Sequence, residues 1–358
     1  MRYTKSMKSF SVLLSGLIVL AFSSAVFADD DSCSEIRLDA PEGPMERVPV
    51  TFQGHVGICY GHAAAQMVDA FRFSHPWPEG DSNYDHLTSS LEVAVGVTNA
   101  SKPTDDFTDG AFTVCPSVHY SASHGSCDEG WVRQLYSAQG IQRSDFTERF
   151  RQLQSDFQDF RKKAPAGTSW TSLVEGFRQQ SMAAEQDFVR FASPEARKVL
   201  PDAETFLKMV DRGSHTEAMD RFLEPFCENK PRQAVSAHLN CHESKPMQGK
   251  AIFTRIHTLL RIKNAQPIAI KMCRNIFEQG HTYAGVNANG FKKDCQLHWP
   301  LIIGQKRFGG TCRFLVRNSM GTGDTGYSND WLPREHGNLW IDEDTLAANT
   351  LQMAYIGE

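Results

Sequence analysis

The sequence predicts an α+β protein with a helical lobe, a β-rich lobe and an inserted helical subdomain. Apolar residues recur every three or four positions from residue 59, as in an amphipathic helix. A highly charged stretch from about residue 144 to 223 repeats this pattern with phenylalanines. Short β-rich runs begin only after Pro267. Helices that precede the strands favour an α+β fold over an alternating α/β fold.

The first 28 residues have the pattern of a secretory signal peptide. A basic start with Arg2, Lys5 and Lys8 precedes an apolar run over residues 10–22, and small residues follow up to Ala28. The apolar run is short for a membrane span. We therefore expect cleavage near Ala28, residues 1–28 as the signal, and a secreted or periplasmic protein without a membrane partner after signal removal.

The composition excludes one class of partner. The chain carries 37 Lys and Arg against 42 Asp and Glu, for a formal net charge of −5, and has no long basic block. Nucleic-acid-binding domains usually carry a concentrated basic surface. We therefore expect no nucleic-acid partner.

The cysteine count is odd, which points to one unpaired thiol. The nine cysteines are Cys33, Cys59, Cys115, Cys127, Cys227, Cys241, Cys273, Cys295 and Cys312. Thiols of exported proteins are usually paired, and a leftover thiol is either intermolecular or reactive. If Cys59 is the unpaired residue, eight cysteines remain for four bridges.

Several pairings are open at this stage. Two short bridges, Cys115–Cys127 and Cys227–Cys241, suit the spacing. The three cysteines after residue 270 would then join within the β-rich lobe, with Cys33 left to pair elsewhere.

The chain divides into regions of different pattern. A helix is predicted from Cys59 until the prolines at positions 76 and 78, and loops with short helical pieces are predicted over residues 79–128. Several amphipathic helices are predicted from 144 to 223, broken near the prolines at 165, 194 and 201. The later predicted elements are a helix over 249–262 and strands over 268–272, 299–303, 313–316, 338–342 and 351–356, with a turn over 306–311.

The segment around Cys59 has the chemistry of an activated nucleophile. A thiol in the first turn of a helix faces unpaired backbone N–H groups and the positive end of the helix dipole, which stabilise the thiolate. Gly57 allows the chain to approach this turn closely. The amide of Gln53, six residues before the cysteine, is a candidate donor to an oxyanion beside the Cys59 N–H.

A second segment supplies a base and a partner that orients it. His298 begins an apolar run that ends at Gly304, and Asn318 follows the next predicted strand in the sequence Asn-Ser-Met-Gly. Two strands joined by a hairpin would bring the Asn amide to the imidazole.

Together these segments resemble the active-site segments of the papain-like cysteine peptidase family, in the family's order of Cys, His and Asn. The resemblance covers roughly residues 50–75 and 250–345. It implies a papain-like fold with Cys59 as nucleophile, His298 as its base, Asn318 orienting the histidine and Gln53 stabilising the oxyanion. The implied reaction is hydrolysis of protein or peptide substrates through a thiolate–imidazolium pair and an acyl-enzyme, without metal or organic cofactor.

Two alternative functions fit the same residues. One is an acyltransferase or transpeptidase that passes the acyl group to an amine. The other is a non-catalytic, peptidase-like binding protein, which would not need Cys, His, Asn and Gln together.

The sequence departs from the family in its spacing. His298 follows Cys59 by 239 residues, whereas the family spacing is about 130 to 150. We therefore predict an inserted helical subdomain over 144–245, between an N-terminal arm and helical lobe (29–143) and the β-rich lobe (246–358). The insert is either a cap over the cleft or a solvated decoration.

Other departures concern single positions. Val56 stands where many relatives have a cysteine. Met320 stands where the usual tryptophan shields the histidine, so we expect a more hydrated or differently packed pair. The short stretch before Cys59 leaves no room for the family's long propeptide, so latency would come from the insert or a proteinaceous inhibitor.

Other histidines compete for a role. His281 is a rival base, although no equally good Asn strand follows it. We expect His62 to be a packing or surface residue and His55 to face solvent or line the cleft. The histidines near Cys115 and Cys127 fit no strong zinc spacing, and a disulfide is the preferred interpretation.

Overall fold

The computed structural model describes residues 33–75, 86–102, 105–109, 113–137, 142–191, 203–211, 213–228, 239–247, 249–323, 326–331 and 333–357, with only the backbone at 181–191, 203 and 205. The predicted signal peptide and the prolines at 76, 78, 194 and 201 lie outside the described residues. The described elements include both helices and antiparallel strands, which confirms the predicted α+β class.

The first helix is the central element of the helical part. Helix α1 (Cys59–Ser74) begins at the residue predicted, and every residue from Cys59 to Arg72 is buried. Helices α2 (Ser90–Ser101), α3 (Val114–His124) and α4 (Glu129–Ser137) follow.

The prediction of loops with short helical pieces over 79–128 is wrong for α2 and α3. The residues of α2 are buried from Ser90 to Thr98, so it has no polar face to give a helical period. Ser89 belongs to the serine-rich composition that suggested a loop, but it caps α2. Its side chain accepts a hydrogen bond from the Glu92 N–H.

The charged middle of the chain is helical, as its pattern predicts. Its helices are α5 (Arg143–Lys163), α6 (Trp170–Phe191), α7 (Ala203–Asp211) and α8 (His215–Glu228). The phenylalanine spacing marks their buried faces: Phe150 packs on Phe222 with ring centroids 5.3 Å apart, and Phe157 packs on Phe177 at 5.0 Å. The boundaries of the predicted insert remain a prediction.

Most of the described strands form one large sheet. They are β1 Ile36–Arg37, β2 Asn240–Glu243, β3 Ile268–Cys273, β6 Leu297–His298, β7 Leu301–Phe308, β8 Thr311–Arg317, β9 Arg334–Glu335, β10 Asn338–Asp342 and β11 Thr350–Gly357, with a separate hairpin of β4 Val286–Asn287 and β5 Gly290–Phe291. The hydrogen-bonded order in the large sheet is β2-β11-β3-β7-β8-β10-β9, with β1 beside β7 and β6 beside β3. Its register pairs are antiparallel throughout. Helices α9 (Gly249–Leu260), α10 (Ile276–Gln279) and α11 (Glu343–Ala347) lie between these strands in the chain, with a 3-10 helix at Gly280–Thr282.

The hairpin that joins β7 and β8 is tighter than predicted. The turn was expected over 306–311, but β7 continues to Phe308 and only Gly309 and Gly310 lie between the strands. Both glycines have positive φ angles, +53° and +86°. A two-residue loop with this backbone matches the twist of the flanking strands, which therefore pair up to the turn.

Four disulfides use every cysteine except Cys59. The bridges are Cys33–Cys312, Cys115–Cys241, Cys127–Cys227 and Cys273–Cys295. The predicted pairs Cys115–Cys127 and Cys227–Cys241 are wrong. Cys115 lies in the first turn of α3, and the helix continues to His124, about 14 Å farther along its axis, which is more than a disulfide spans.

Among the described residues, no helix combines the length and apolarity needed to cross a bilayer.

Candidate active site

Cys59 is the free cysteine of the chain and the first residue of α1. The first N–H groups of a helix have no intrahelical partner, so they point toward this position. The backbone N–H groups of Trp299, Tyr60 and Cys59 itself act on the thiol and favour its ionised form. The Tyr60 hydroxyl donates to the Phe107 carbonyl at 2.7 Å.

His298 and Asn318 meet as the predicted hairpin requires. His298 ends β6, opposite Met272 of β3, and Asn318 directly follows β8. The His298 Nε2 lies 2.6 Å from the Asn318 Oδ1. Because an amide oxygen only accepts hydrogen bonds, Nε2 donates, and Nδ1 of the neutral ring carries the free lone pair.

The structure also brings Cys59 beside the histidine segment. The backbone N–H of Trp299, the residue directly after His298, acts on the Cys59 thiol. Cys59, His298 and Asn318 are all buried, with exposed fractions of 4%, 1% and 1%.

His298 and Asn318 are each buried although residue 320 is a methionine. The Phe277 ring meets the imidazole edge-on, with centroids 6.1 Å apart. The Asn318 Nδ2 donates to the Tyr327 hydroxyl at 3.2 Å. Sequence reasoning missed Phe277 and Tyr327, because nothing in their local spacing connects them with the histidine.

Gln53 lies against the residue that follows Asn318. Its Oε1 accepts from the Ser319 hydroxyl at 2.5 Å, and its backbone N–H donates to the Ser319 carbonyl at 2.8 Å. Its Nε2 donates to the Val56 carbonyl at 3.1 Å. A carboxamide has two N–H donors, so one donor of this fixed side chain remains for a ligand.

Burial controls the protonation of the site. It raises the pKa of the Cys59 thiol to about 11, while the backbone hydrogen bonds from Trp299, Tyr60 and Cys59 act to lower it. It lowers the pKa of His298 to about 4, while the hydrogen bond to Asn318 acts to raise it. The closed site therefore favours a neutral thiol and a neutral imidazole, whereas the resemblance implied an ion pair.

A cavity of about 250 Å³ borders the segment that leads to the nucleophile. Its walls come from residues 55–57, from Thr108 and from one face of α5 that includes Arg151. His55 is exposed and lines this cavity, which agrees with the expectation that it faces solvent.

The two other candidate histidines, His281 and His62, have other partners. His281 is half-exposed, lies 3.1 Å from the Asp342 carboxylate and packs on Trp331 with ring centroids 4.5 Å apart. His62 is buried within a polar network, so the expected surface position is wrong and the expected buried one is confirmed.

One group of possible metal ligands occurs in the described residues. Atoms of His257, Cys312 and Glu343 lie within 4.8 Å of one another. Cys312 is bridged to Cys33, so its sulfur is not available as a thiolate ligand.

The site thus contains a free cysteine at a helix start, a histidine hydrogen-bonded to an asparagine and a fixed amide donor. Solved structures similar to this chain are papain-like cysteine proteases. They include xylellain from Xylella fastidiosa, a cysteine protease with 14% identity over 90% of this chain and 85% of its own, at a TM-score of 0.41.

Two other similar structures have comparable scores. Digestive procathepsin L 3 of the Tenebrio molitor larval midgut has 11% identity over 92% of this chain and 72% of its own, at a TM-score of 0.40. The ragweed pollen allergen Amb a 11, a cysteine protease in its proform, has 10% identity over 92% and 66%, at a TM-score of 0.41. No family model and no curated protein sequence matches the chain. The reaction is therefore inferred from the side chains of this chain.

Proposed function

We propose that this chain is a secreted or periplasmic cysteine peptidase that hydrolyses peptide bonds with Cys59, His298 and Asn318. The observation that carries the proposal is the 2.6 Å bond between His298 and Asn318, beside the cysteine that no disulfide uses. A structural cysteine needs neither a neighbouring histidine of fixed tautomer nor an amide donor. Four disulfides fit an oxidising compartment.

The first half of the reaction forms an acyl-enzyme. The Nδ1 of His298 takes the proton of the Cys59 thiol as the sulfur attacks the scissile carbonyl carbon. The Cys59 N–H and the free N–H of Gln53 Nε2 stabilise the oxyanion. The bond from His298 Nε2 to Asn318 stabilises the imidazolium, which then protonates the leaving amine as the C–N bond breaks.

The second half regenerates the enzyme. Water loses a proton to Nδ1 of His298 and attacks the thioester, and the tetrahedral intermediate collapses to a carboxylic acid. The proton returns to the Cys59 sulfur. His298 passes the proton of the thiol to the leaving amine and one proton of the water to the Cys59 sulfur, so the enzyme returns to its starting state.

A casein assay tests the proposal. Purified protein without its signal peptide is incubated with fluorescent casein, with and without iodoacetamide, alongside Cys59→Ala and His298→Ala. Cleavage by the wild type that all three treatments abolish supports the peptidase. His281→Ala, at the rival histidine, is the matched control and should retain activity.

The same assay separates the alternatives. An added primary amine that becomes joined to casein fragments would indicate acyl transfer to an amine. Binding of a partner that Cys59→Ala leaves unchanged, without turnover by the wild type, would indicate a non-catalytic binding protein and would overturn the proposal.

A further inference from the structure

A buried polar network lies one turn below the nucleophile. His62 follows Cys59 by three residues on α1 and is 1% exposed, and Arg143 is 4% exposed. The Arg143 Nη1 lies 2.6 Å from the His62 Nε2. A guanidinium only donates, so Nε2 must accept and the proton of the neutral ring is on Nδ1.

The other ring nitrogen of His62 continues the network toward the site. Nδ1 lies 2.8 Å from the Thr51 hydroxyl and, because it carries the proton, it donates to that oxygen. Thr51 lies two residues before Gln53. Its carbonyl accepts from the Gly321 N–H at 2.9 Å, so residues 51–53 run beside the residues that follow Asn318.

Arg143 is held from several directions. It donates to the Tyr136 hydroxyl at 3.0 and 3.1 Å, to the Ser90 hydroxyl at 2.7 Å and to the Glu129 carboxylate. It is also the first residue of α5, and it directly precedes residue 144, where the predicted insert begins. The network therefore joins α5 to α1 and to the Gln53 segment.

We infer that Arg143 and His62 are positioning residues for the oxyanion side of the active site. Through Thr51 they hold Gln53 in register with the residues after Asn318 and with the start of α1. The helical stretch that begins at Arg143 is then part of the active-site scaffold, not only a cap or a decoration. The inference rests on the proposed function for its catalytic consequence.

Thr51→Val tests this role with a small change, because it removes the hydroxyl that accepts from His62 and keeps the shape. Misplacement of the oxyanion donor should lower kcat about 10- to 100-fold and leave KM within about twofold. Iodoacetamide should alkylate Cys59 at an unchanged rate, because alkylation forms no oxyanion. Thr51→Ser, which restores the hydroxyl, should recover activity.

Thr216→Val is the matched control. Thr216 is a buried threonine of α8 whose hydroxyl bonds the Asp105 carbonyl and the Phe107 N–H. The same chemical change there should lower the melting temperature without changing kcat. If both variants lose kcat in proportion to their loss of stability, the role of Thr51 is only structural and the inference is overturned.

A measurement without turnover separates this inference from the proposed function. In protein labelled with ¹⁵N-glutamine, the Gln53 side-chain amide signal is identified by its absence in Gln53→Ala. It should shift or broaden in Thr51→Val and remain in place in Thr51→Ser and Thr216→Val. An unchanged signal in Thr51→Val overturns the inference even if the wild type cleaves casein, and a wild type without turnover overturns only the proposed function.

Discussion

The Nε2 of His298 donates a hydrogen bond to the Oδ1 of Asn318 at 2.6 Å, and both side chains are almost fully buried. The Tyr327 hydroxyl accepts from the Asn318 amide nitrogen, so the orientation of the amide is fixed from both ends. This arrangement fixes the His298 tautomer that carries its proton on Nε2. The basic nitrogen, Nδ1, is then on the side of the ring away from Asn318.

Asn318→Ala should lower kcat/KM about 100-fold, because the imidazole loses the partner that fixes its tautomer and stabilises its charged form. Initial rates on a fluorogenic peptide measure the loss. Tyr327→Phe keeps the ring that packs on Phe277 and removes only the hydroxyl, so it should cost less than about tenfold. A larger loss in Tyr327→Phe than in Asn318→Ala would contradict this order of roles.

Gln53→Glu should lower kcat about 100- to 1000-fold with little change in KM, because the variant lacks the N–H donor for the oxyanion. The carboxylate can still accept from the Ser319 hydroxyl but loses the bond from Nε2 to the Val56 carbonyl, so the melting temperature should also fall. Steady-state kinetics and the melting temperature measure the two effects separately. Full activity in Gln53→Glu would remove the glutamine from the mechanism.

The sequence was sufficient for the parts of the site that local patterns specify. Cys59 at a helix start and the paired strands that carry His298 and Asn318 each leave a short-range signal, namely helical period and strand–turn–strand. The contacts of Arg143 with His62 span 81 residues, and those of Phe277 and Tyr327 also join distant segments. No local pattern predicts such pairs, since they depend on tertiary packing.

The wrong disulfides have the same cause. Short spacing suggested Cys115–Cys127, but the intervening residues form a helix and keep the two sulfurs apart. Cys115 instead meets Cys241 on β2, 126 residues away. Pairing of cysteines follows the distances in the folded chain, which spacing alone does not give.

Acid should destabilise the folded protein below about pH 6.5. Burial lowers the pKa of His298 and of His215 to about 4, and burial together with Arg143 lowers the pKa of His62 well below its usual value. Below pH 6.5 the unfolded chain binds protons that the folded chain does not. The free energy of unfolding therefore falls as pH falls, by about 1.4 kcal/mol per pH unit for each histidine.

Two carboxyl groups oppose this trend. Burial raises the pKa of Asp69 to about 6, so between about pH 6 and pH 4 the folded chain binds a proton that the unfolded chain lacks. Burial also raises the pKa of Glu243, which acts in the same direction. Together they offset at most two of the three histidines, so the net direction stays the same. Urea unfolding at pH 7, 6 and 5 measures the slope. His215→Gln should reduce it, and a stability that rises on acidification would contradict the assignment of neutral buried histidines.

Removal of Cys127–Cys227 should destabilise the protein more than removal of Cys273–Cys295. The two bridges join residues 100 and 22 positions apart, and a longer closed loop restricts the unfolded chain more. The paired substitutions to alanine should lower the free energy of unfolding by about 4.7 and about 3.4 kcal/mol in the chain-entropy model. Cys59→Ala breaks no bridge, so it serves as the control and should leave this free energy within about 1 kcal/mol. Urea titration measures the three values, and an equal loss in both bridge variants would show that native packing, not loop length, sets the contribution of these disulfides.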